Sequence, residues 1–404
     1  MIPLLCNIRV LEISSVVLGP LAGQILADLG AEVIKVEPLE GDLARNSYPQ
    51  GAGSSALYLN NNRNKRAIVL DLKSTDGRAV IERMIGRTDV LLHNMRTDAA
   101  ERLGIGFDAA TAFNPGLIYC SATGFGQRGR YRKRPAFDDI IQAASGVARL
   151  SGRGDDDPCF VSTILADKVG ALHVVYGILA ALVARGGGRQ GAIQVEVPMF
   201  EAMVSFVLNE HLSGATFDEK GKVGYPRVLS PYRRPHRTRD GWIAVLPYTA
   251  EQWRRFLVEV GQSAICEEIW FADALERQAR LDYLYTVVST ALTARDTSEW
   301  IETLSRLDIP CSEVNRLEDL LEDPHLADIG FFDVDASYPA EIKRNLPQPV
   351  LFGGVGALPD RPPPTLGEHT REVLRGLQFD DQEIERLLAC GAVGDGKPRH
   401  DEVV

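Results

Sequence analysis

The first half of the chain alternates short apolar runs of strand length with segments of helical periodicity. The run 8–14, the helical segment 20–30 and the alternating run 31–37 together form a βαβ unit. The pattern continues with strands predicted at 67–72, 89–94, 116–124 and 192–197, and with helices at 75–87, 97–113, 138–149, 164–185 and up to about 213. Such alternation predicts a parallel sheet covered by helices on both faces. We therefore expect an α/β fold with a Rossmann-like large domain.

A chain of 404 residues is longer than a single core usually supports, so we expect two domains. A turn-rich, proline-bearing stretch is interpreted as a linker, and a strand at 241–247, a helix at 251–260 and a helix with a strand at 298–314 follow it. The predicted organisation is a large domain at 1–213, a linker at 214–240, a small α+β domain at 241–323, and a return linker with a tail packing on the large domain at 324–404.

Charge and cysteine usage limit the possible partners and the compartment. The formal net charge of −11 argues against nucleic-acid binding, which needs a basic surface. Six scattered cysteines without a C-x-x-C pair indicate neither disulfides nor a metal site, so a cytoplasmic protein is expected. The uncharged run 169–184 is too short to cross a bilayer, which predicts a buried core helix and no membrane association.

Three common cofactor and nucleophile motifs are missing from the sequence. The loop after the first strand reads SSVVLGPLAG and not G-x-G-x-x-G, which disfavours a nicotinamide dinucleotide. The sequence also lacks the G-x-x-x-x-G-K-[ST] phosphate loop and the G-x-S-x-G nucleophile elbow. Nucleotide-triphosphate and serine-hydrolase chemistry are therefore disfavoured as well.

Asp167 is an acid at the front of the apolar helix 164–185. One interpretation is a helix-terminal acid, favoured by capping and by the helix dipole. The other is a covalent nucleophile that the same field keeps ionised. In that case the small residues Gly170, Ala166 and Ala171 leave room for a ligand. The spacing alone leaves both interpretations open.

Five ordered blocks of sequence resemble a known family. They are VLEISSVVLGPLAGQILADLGAEVIKVEPLEGDLAR, NKRAIVLDLKS, DVLLHNMRTDAAERLGIGFD, NPGLIYCSATGFGQRGRYRKRPAFDDIIQAASG and LADKVGALHVVYGILAALVAR. In this order they resemble the signatures of the class III CoA-transferases (CaiB/BaiF type), the family of formyl-CoA transferase and carnitine CoA-transferase. The resemblance covers about residues 7–210 and, more loosely, parts of the remainder. It implies that Asp167 is the catalytic aspartate.

The resemblance also implies an activity and an assembly. The protein is expected to be an acyl-CoA:carboxylate CoA-transferase that works through covalent aspartyl intermediates. Coenzyme A or acyl-CoA is expected as substrate, with a small carboxylic acid as acceptor and no permanently bound cofactor or metal. Backbone amides near Asp167, or glycines of a neighbouring loop, are the candidate oxyanion donors. Members of the family are interlocked homodimers, so a homodimer is expected.

Residues that bind CoA follow from the same blocks, position by position. The candidates are Val17, Leu18, Leu70, Asp71, Leu72, Lys73, Asn94, Met95, Arg96, Arg102, Phe137 and Asp138. Basic residues suit the phosphates of CoA, and further candidates for them are Arg45, Arg63, Lys65 and Arg66.

Departures from the family pattern bear on the substrate. Val17 stands where formyl-CoA transferase has a glutamine, which makes oxalate an unexpected acceptor. Phe137 stands where the family's racemases have a histidine, and without that second base CoA transfer is favoured over α-methylacyl-CoA racemisation. A non-catalytic CoA-binding dimer is the remaining alternative. The arginine-rich run 227–239 is either a solvated connection or a grip for a second carboxylate of the acid, and the acids themselves stay open.

Overall fold

The computed structural model describes residues 1–152 and 157–396. Within these ranges the chain forms two compact units. The first contains Met1–Val207 and the chain from Gly330 onward, and the second contains Leu208–Ile329. Residues 397–404 of the predicted tail lie outside the described residues.

The strands are short and most of them belong to the first unit. In chain order they are β1 (Arg9–Ile13), β2 (Glu32–Glu37), β3 (Gln50–Gly51), β4 (Ser54–Ser55), β5 (Arg66–Leu70), β6 (Val90–His93), β7 (Ile118–Thr123), β8 (Ile193–Pro198), β9 (His236–Arg237), β10 (Trp242–Val245), β11 (Cys311–Glu313) and β12 (Val393–Gly394).

The helices cover both faces of the main sheet and most of the second unit. In chain order they are α1 (Leu18–Asp28), α2 (Ala56–Leu59), α3 (Thr75–Ile85), α4 (Thr97–Arg102), α5 (Phe107–Phe113), α6 (Asp138–Ala144), α7 (Val147–Ser151), α8 (Leu165–Gly186), α9 (Met199–His211), α10 (Pro226–Leu229), α11 (Ala250–Glu259), α12 (Ile269–Ala272), α13 (Ala274–Ala279), α14 (Leu281–Leu292), α15 (Thr297–Arg306), α16 (Pro324–Asp328), α17 (Thr370–Gly376) and α18 (Asp381–Ala389).

The main sheet has the order β12-β5-β2-β1-β6-β7-β8. All neighbouring strands run parallel except β12, which is antiparallel to β5. The expected α/β fold with a large, mostly parallel sheet is confirmed. The antiparallel strand β12 at the edge corrects the expectation of an all-parallel sheet.

Successive residues of the central strands pack into two different hydrophobic cores. On β1, Val10 packs into the core formed with α1 and α8, whereas Leu11 packs into the core with α3, α17 and α18. On β6, Leu92 and Leu91 divide in the same way. Strands buried on both faces read as continuous apolar runs, which is why the sequence shows these segments so clearly.

Helix α8 is the one described helix long and apolar enough to cross a membrane. In this structure it packs against α1, α6, β7 and β8. Its residues Ala166, Ala171, Val174 and Ile178 are fully buried in the core of the first unit. The helix is therefore a core element whose N-terminus is held by its neighbours.

The second unit has its own sheet and core. β10 pairs antiparallel with β9 and with β11, and Trp253, Phe256 and Trp300 lie in the core between the strands and the surrounding helices. Residues 214–240 were predicted as a linker, but they lie within this unit and supply β9. The helices between 269 and 292 were not predicted.

Candidate active site

Asp167 lies in the first turn of α8 and is half-buried. Ile164, the residue just before the helix, supplies no capping side chain. The cap comes from α6 instead, because Asp138 Oδ1 accepts hydrogen bonds from the backbone N–H groups of Ala166 (2.6 Å) and Asp167 (3.2 Å). Two of the N–H groups that a helix N-terminus leaves free are thus taken by a second carboxylate.

The pKa of Asp167 is raised to about 6, first by burial and second by the negative charge of Asp138. This corrects the expectation that the helix N-terminus holds the carboxylate firmly ionised. The first-turn N–H groups point to Asp138, so they do not stabilise the charge on Asp167. At pH 7 the group is still ionised in about nine molecules of ten, as a stronger base than an exposed aspartate.

The small residues near Asp167 serve packing and do not open space for a ligand. A Cβ atom at Gly170 would lie 2.8 Å from Leu18 Cδ1 and 3.6 Å from Met199 Cγ. Ala166 and Ala171 are fully buried. Gly170 therefore lets α8 approach α1 closely, which corrects the interpretation that this face leaves room for substrate.

The loop between β1 and α1 is held in an unusual conformation. Val16 has φ = 70°, a left-handed value that is strained for a β-branched residue. Its N–H donates to Asp42 Oδ1 at 3.0 Å. Asn94 accepts from the N–H of Ser15 at 3.1 Å and donates to its carbonyl at 2.9 Å. Side chains from the ends of two other strands thus fix this loop.

Beneath the loop lies a buried network of charges. Lys35 Nζ lies 3.1 Å from Glu12 Oε1 and 2.8 Å from Asp42 Oδ2, and Lys65 Nζ lies 2.8 Å from Glu12 Oε2. All four side chains are buried. Since breaking a buried pair leaves an uncompensated charge, this network anchors Asp42 firmly.

A cavity of about 680 Å³ opens at the carboxyl ends of β1, β2, β5 and β6. Ligands of open α/β sheets bind at this edge. Six of the predicted CoA-binding residues line it: Leu70, Asp71, Leu72, Lys73, Asn94 and Met95. Lys73 is the basic residue of the lining, is exposed, and makes no ion pair within the described part of the chain.

The cavity also has a wall that the sequence reasoning missed. Residues 36–43, which form the end of β2 and the loop after it, line it together with Leu103. The signal was present in the sequence as the turn-forming stretch EPLEGD directly after a predicted strand.

The other predicted CoA-binding residues lie outside this cavity. Val17 and Leu18 are buried in the first turn of α1. Arg96 precedes α4 and is exposed. Arg102 is exposed and pairs with Asp98, four positions earlier on the same helix, at 3.2 Å.

Phe137 and Asp138 lie at the start of α6, also outside the cavity. Phe137 has 68% of its surface exposed, so its ring is free of the core. Asp138 was predicted as a CoA contact, but its two carboxylate oxygens accept hydrogen bonds from α8 and from α6. The structure therefore gives Asp138 the role of a helix cap.

The further basic candidates for phosphates are engaged in ion pairs. Arg45 pairs with Glu37 through two hydrogen bonds of 2.7 Å, Arg63 pairs with Asp28, and Arg66 pairs with Glu32 and Glu372. Lys65 is fully buried in the charge network. The partners of Arg63, Lys65 and Arg66 come from distant parts of the chain, so the sequence could not reveal these pairs. Glu37 is near Arg45 in sequence, but their pairing depends on the conformation of the loop after β2.

The arginine-rich run lies in the second unit and divides into different environments. Arg227 stacks on Tyr248 and Arg237 on Trp242, while Arg239 pairs with acids of the segment 296–299. Arg233 and Arg234 are exposed and line a cavity of about 450 Å³. The run is thus not a uniform basic patch.

Clusters of histidine, cysteine and acidic residues suited to a metal ion are absent from the part of the chain that the structure describes. All six cysteines are free.

Comparison with known proteins gives one family. Residues 5–370 match CoA-transferase family III. The chain is 31% identical over 389 residues to succinate–glutarate CoA-transferase of Agrobacterium fabrum, covering 93% of this chain and 96% of the relative. It is 32% identical over 393 residues to succinyl-CoA–D-citramalate CoA-transferase of Chloroflexus aurantiacus, covering 93% and 95%.

A solved structure agrees with this result. The CaiB/BaiF family protein from Brucella suis superimposes with a TM-score of 0.78 at 27% sequence identity, covering 93% of this chain and all of that one.

Proposed function

Since the chain belongs to CoA-transferase family III and is an acyl-CoA:carboxylate CoA-transferase, we propose that Asp167 is the nucleophile of the transfer. The observation that carries this proposal is a half-buried carboxylate whose pKa is raised to about 6 by burial and by Asp138. It is ionised at neutral pH, yet poorly stabilised as an anion. Both properties favour attack on a thioester carbonyl.

The reaction proceeds in four balanced steps. A carboxylate oxygen of Asp167 attacks the donor thioester, and CoA thiolate leaves as a mixed anhydride forms. The thiolate then attacks the aspartyl carbonyl, releasing the donor acid and leaving an aspartyl-CoA thioester. The acceptor carboxylate attacks this thioester and expels CoA thiolate, giving a second anhydride. Finally the thiolate attacks the acceptor acyl carbon, which yields the new acyl-CoA and restores the carboxylate.

CoA binds in the cavity at the carboxyl ends of β1, β2, β5 and β6. The apolar lining, including Leu39, Leu72 and Met95, suits the adenine ring, and Lys73 suits a phosphate. Asn94 keeps the loop at Ser15 in place beside it. This assignment is supported by the six predicted residues that the cavity brings together.

The exchanged acids are dicarboxylates. Both relatives named above act, by their names, on succinate or succinyl-CoA together with a second dicarboxylic acid, glutarate or citramalate. Succinyl-CoA as donor is the first choice for this chain, with a short dicarboxylic acid as acceptor.

The enzyme works as a homodimer in the cytoplasm. The outer face of α8 exposes Leu172, Tyr176 and Val183, and apolar side chains grouped on one helix face favour association with a second chain. The six free cysteines fit a reducing compartment.

The test combines turnover with trapping of the intermediate. Wild type incubated with succinyl-CoA and glutarate should form glutaryl-CoA, and hydroxylamine added during turnover should convert Asp167 to the hydroxamate, read by peptide mass. Asp167→Ala should form neither product, while the exposed-acid control Asp139→Asn should form both.

Retention of transfer by Asp167→Ala would refute the covalent role. Deuterium uptake at the α-carbon of a branched acyl-CoA without CoA exchange would instead indicate racemase chemistry. Tight CoA binding without turnover on any acid would indicate a non-catalytic CoA-binding protein.

A further inference from the structure

The N-terminus of α8 is capped from another helix. Asp138, at the first position of α6, accepts hydrogen bonds from the N–H groups of Ala166 and Asp167 at 2.6 Å and 3.2 Å. Helix caps normally come from the residue just before the helix, which here is Ile164 and has no polar side chain. The nucleophile's own backbone is therefore fixed by a carboxylate distant in sequence.

Asp138 is itself held in place by a buried glutamine. Its Oδ2 accepts from Gln142 Nε2 at 2.6 Å, and Gln142 is fully buried. The same amide group donates to the carbonyl of Thr163 at 3.2 Å, and its oxygen accepts from the N–H of Val161 at 2.9 Å. Asp138 and Gln142 thus bind both the segment leading into α8 and its first turn.

Other charged groups on the elements around α8 are engaged elsewhere. Glu196 on β8 and Glu201 on α9 accept hydrogen bonds from backbone N–H groups in the loop after β7. The ammonium group of Lys168 donates to a threonine hydroxyl at 2.8 Å. β7 has no charged residue, and the one acid of α1 lies at its far end. Asp138 is thus the charge that acts on Asp167.

We propose that Asp138 is a positioning residue of the transfer reaction, which fixes the first turn of α8 and places a second carboxylate beside the nucleophile. The inference rests on the proposed role of Asp167. Before the attack two carboxylates lie close together in a partly buried place, which is unfavourable. After it Asp167 is acylated and neutral, and the negative charge has left with the CoA thiolate. Repulsion between the two acids is relieved by the reaction itself.

This arrangement has a second consequence for the transition state. The N–H groups of Ala166 and Asp167 already donate to Asp138, so they do not serve the oxyanion of the tetrahedral intermediate. Of the donors expected from the sequence, the other backbone amides near Asp167 and the glycines of a neighbouring loop remain. The raised pKa of Asp167, caused first by burial and second by Asp138, supports the same picture.

The experiment measures acylation of Asp167 as the release of CoA thiolate in a single turnover, between pH 4.5 and 8. In wild type the rate should rise with pH around a midpoint near 6. Asp138→Asn keeps an acceptor oxygen for the two N–H groups but removes the charge, so its midpoint should fall by about one pH unit. Asp138→Ser, a second neutral capping residue, should shift it in the same direction. The matched control is Asp139→Asn, an exposed acid one position along α6, which should leave the midpoint unchanged.

Two results would overturn the inference. One is a midpoint in both Asp138 variants equal to that of wild type, and the other is an equal shift in Asp139→Asn. The failure of the proposed function looks different, because Asp167→Asn would then still transfer CoA. If Asp167→Asn is inactive and the Asp138 variants keep the wild-type midpoint, only the proposed role of Asp138 is refuted.

Discussion

Replacing Asp167, the proposed nucleophile, should make the protein more stable at neutral pH. The pKa of Asp167 is raised from 3.8 to about 6, first by burial and then by Asp138. A group whose pKa is raised in the folded state holds its proton more tightly there than in the unfolded chain. Its ionisation therefore opposes folding. The loss of folding free energy is complete above about pH 6, becomes smaller as the pH falls, and is absent below about pH 3.8.

The magnitude follows from the same values. The difference between about 6 and 3.8 corresponds to at most about 3 kcal/mol at pH 7. Asp167→Asn has nearly the same shape and no charge, so it should raise the free energy of unfolding by up to this amount. The gain should shrink as the pH falls from 6 to 4. Such a trade of stability for activity is common at catalytic positions.

Urea unfolding of wild type and Asp167→Asn at equal protein concentration, in steps from pH 4.5 to 8, measures the effect. Asp139→Asn serves as the exposed-acid control and should show no comparable gain. In an Asp138→Asn background the gain from Asp167→Asn should be smaller, since part of the repulsion is already removed. The reasoning is refuted if Asp167→Asn is no more stable than wild type at pH 7, or if its gain does not depend on pH.

Further predictions concern helix packing, the CoA cavity and the buried charges. Gly170→Ala should lower the free energy of unfolding by about 1–3 kcal/mol through overpacking. Gly186→Ala on the same helix has open space around its Cβ position and should raise the free energy of unfolding by about 0.5–1 kcal/mol. Chemical denaturation measures both variants, and equal effects would contradict the packing argument. Lys73→Ala should raise KM for acyl-CoA by about tenfold, for one lost charge-assisted bond, with little change in kcat. Arg102→Ala should leave KM nearly unchanged, and steady-state kinetics showing the reverse order would move the phosphate site. Asp42→Ala should lower the free energy of unfolding by about 3–5 kcal/mol, because the two buried lysines of the network would then share the single carboxylate of Glu12; a melting temperature like that of wild type would show that the network adjusts.

The sequence predicted the parts of the structure that depend on local pattern. The strands around Val10, Leu91 and Ile118 are short, mostly apolar runs that alternate with helical segments, so their existence and parallel arrangement could be inferred. The edge strand at Val393 is two residues long and pairs antiparallel across more than three hundred positions of sequence. A strand this short has no periodicity to detect, so it was missed.

The same distinction applies to the candidate site: residues placed by local pattern could be predicted, and residues placed by tertiary structure could not. Lys73 and Asn94 follow predicted strands, and their place at the carboxyl edge of the sheet could be expected. Asp138 could not be assigned from the sequence, because its role depends on where the first turn of α8 lies in space. The charged residues at 45 and 65 looked available for phosphates. The sheet brings Lys65 to its distant partner Glu12, whereas Arg45 pairs with Glu37 through the conformation of the loop after β2.

The pairing of β12 with β5 has a consequence for the order in which the chain is made. The segment that follows β5 forms one wall of the proposed CoA cavity, and the N–H of Asp71 in that wall donates to the carbonyl of Ala392 at 2.9 Å. A growing chain emerges from the ribosome with its N-terminus first. The first unit is begun early, but the whole second unit must be synthesised before residue 392 arrives. This wall of the cavity therefore gains its contact with Ala392 only after the whole second unit has been synthesised.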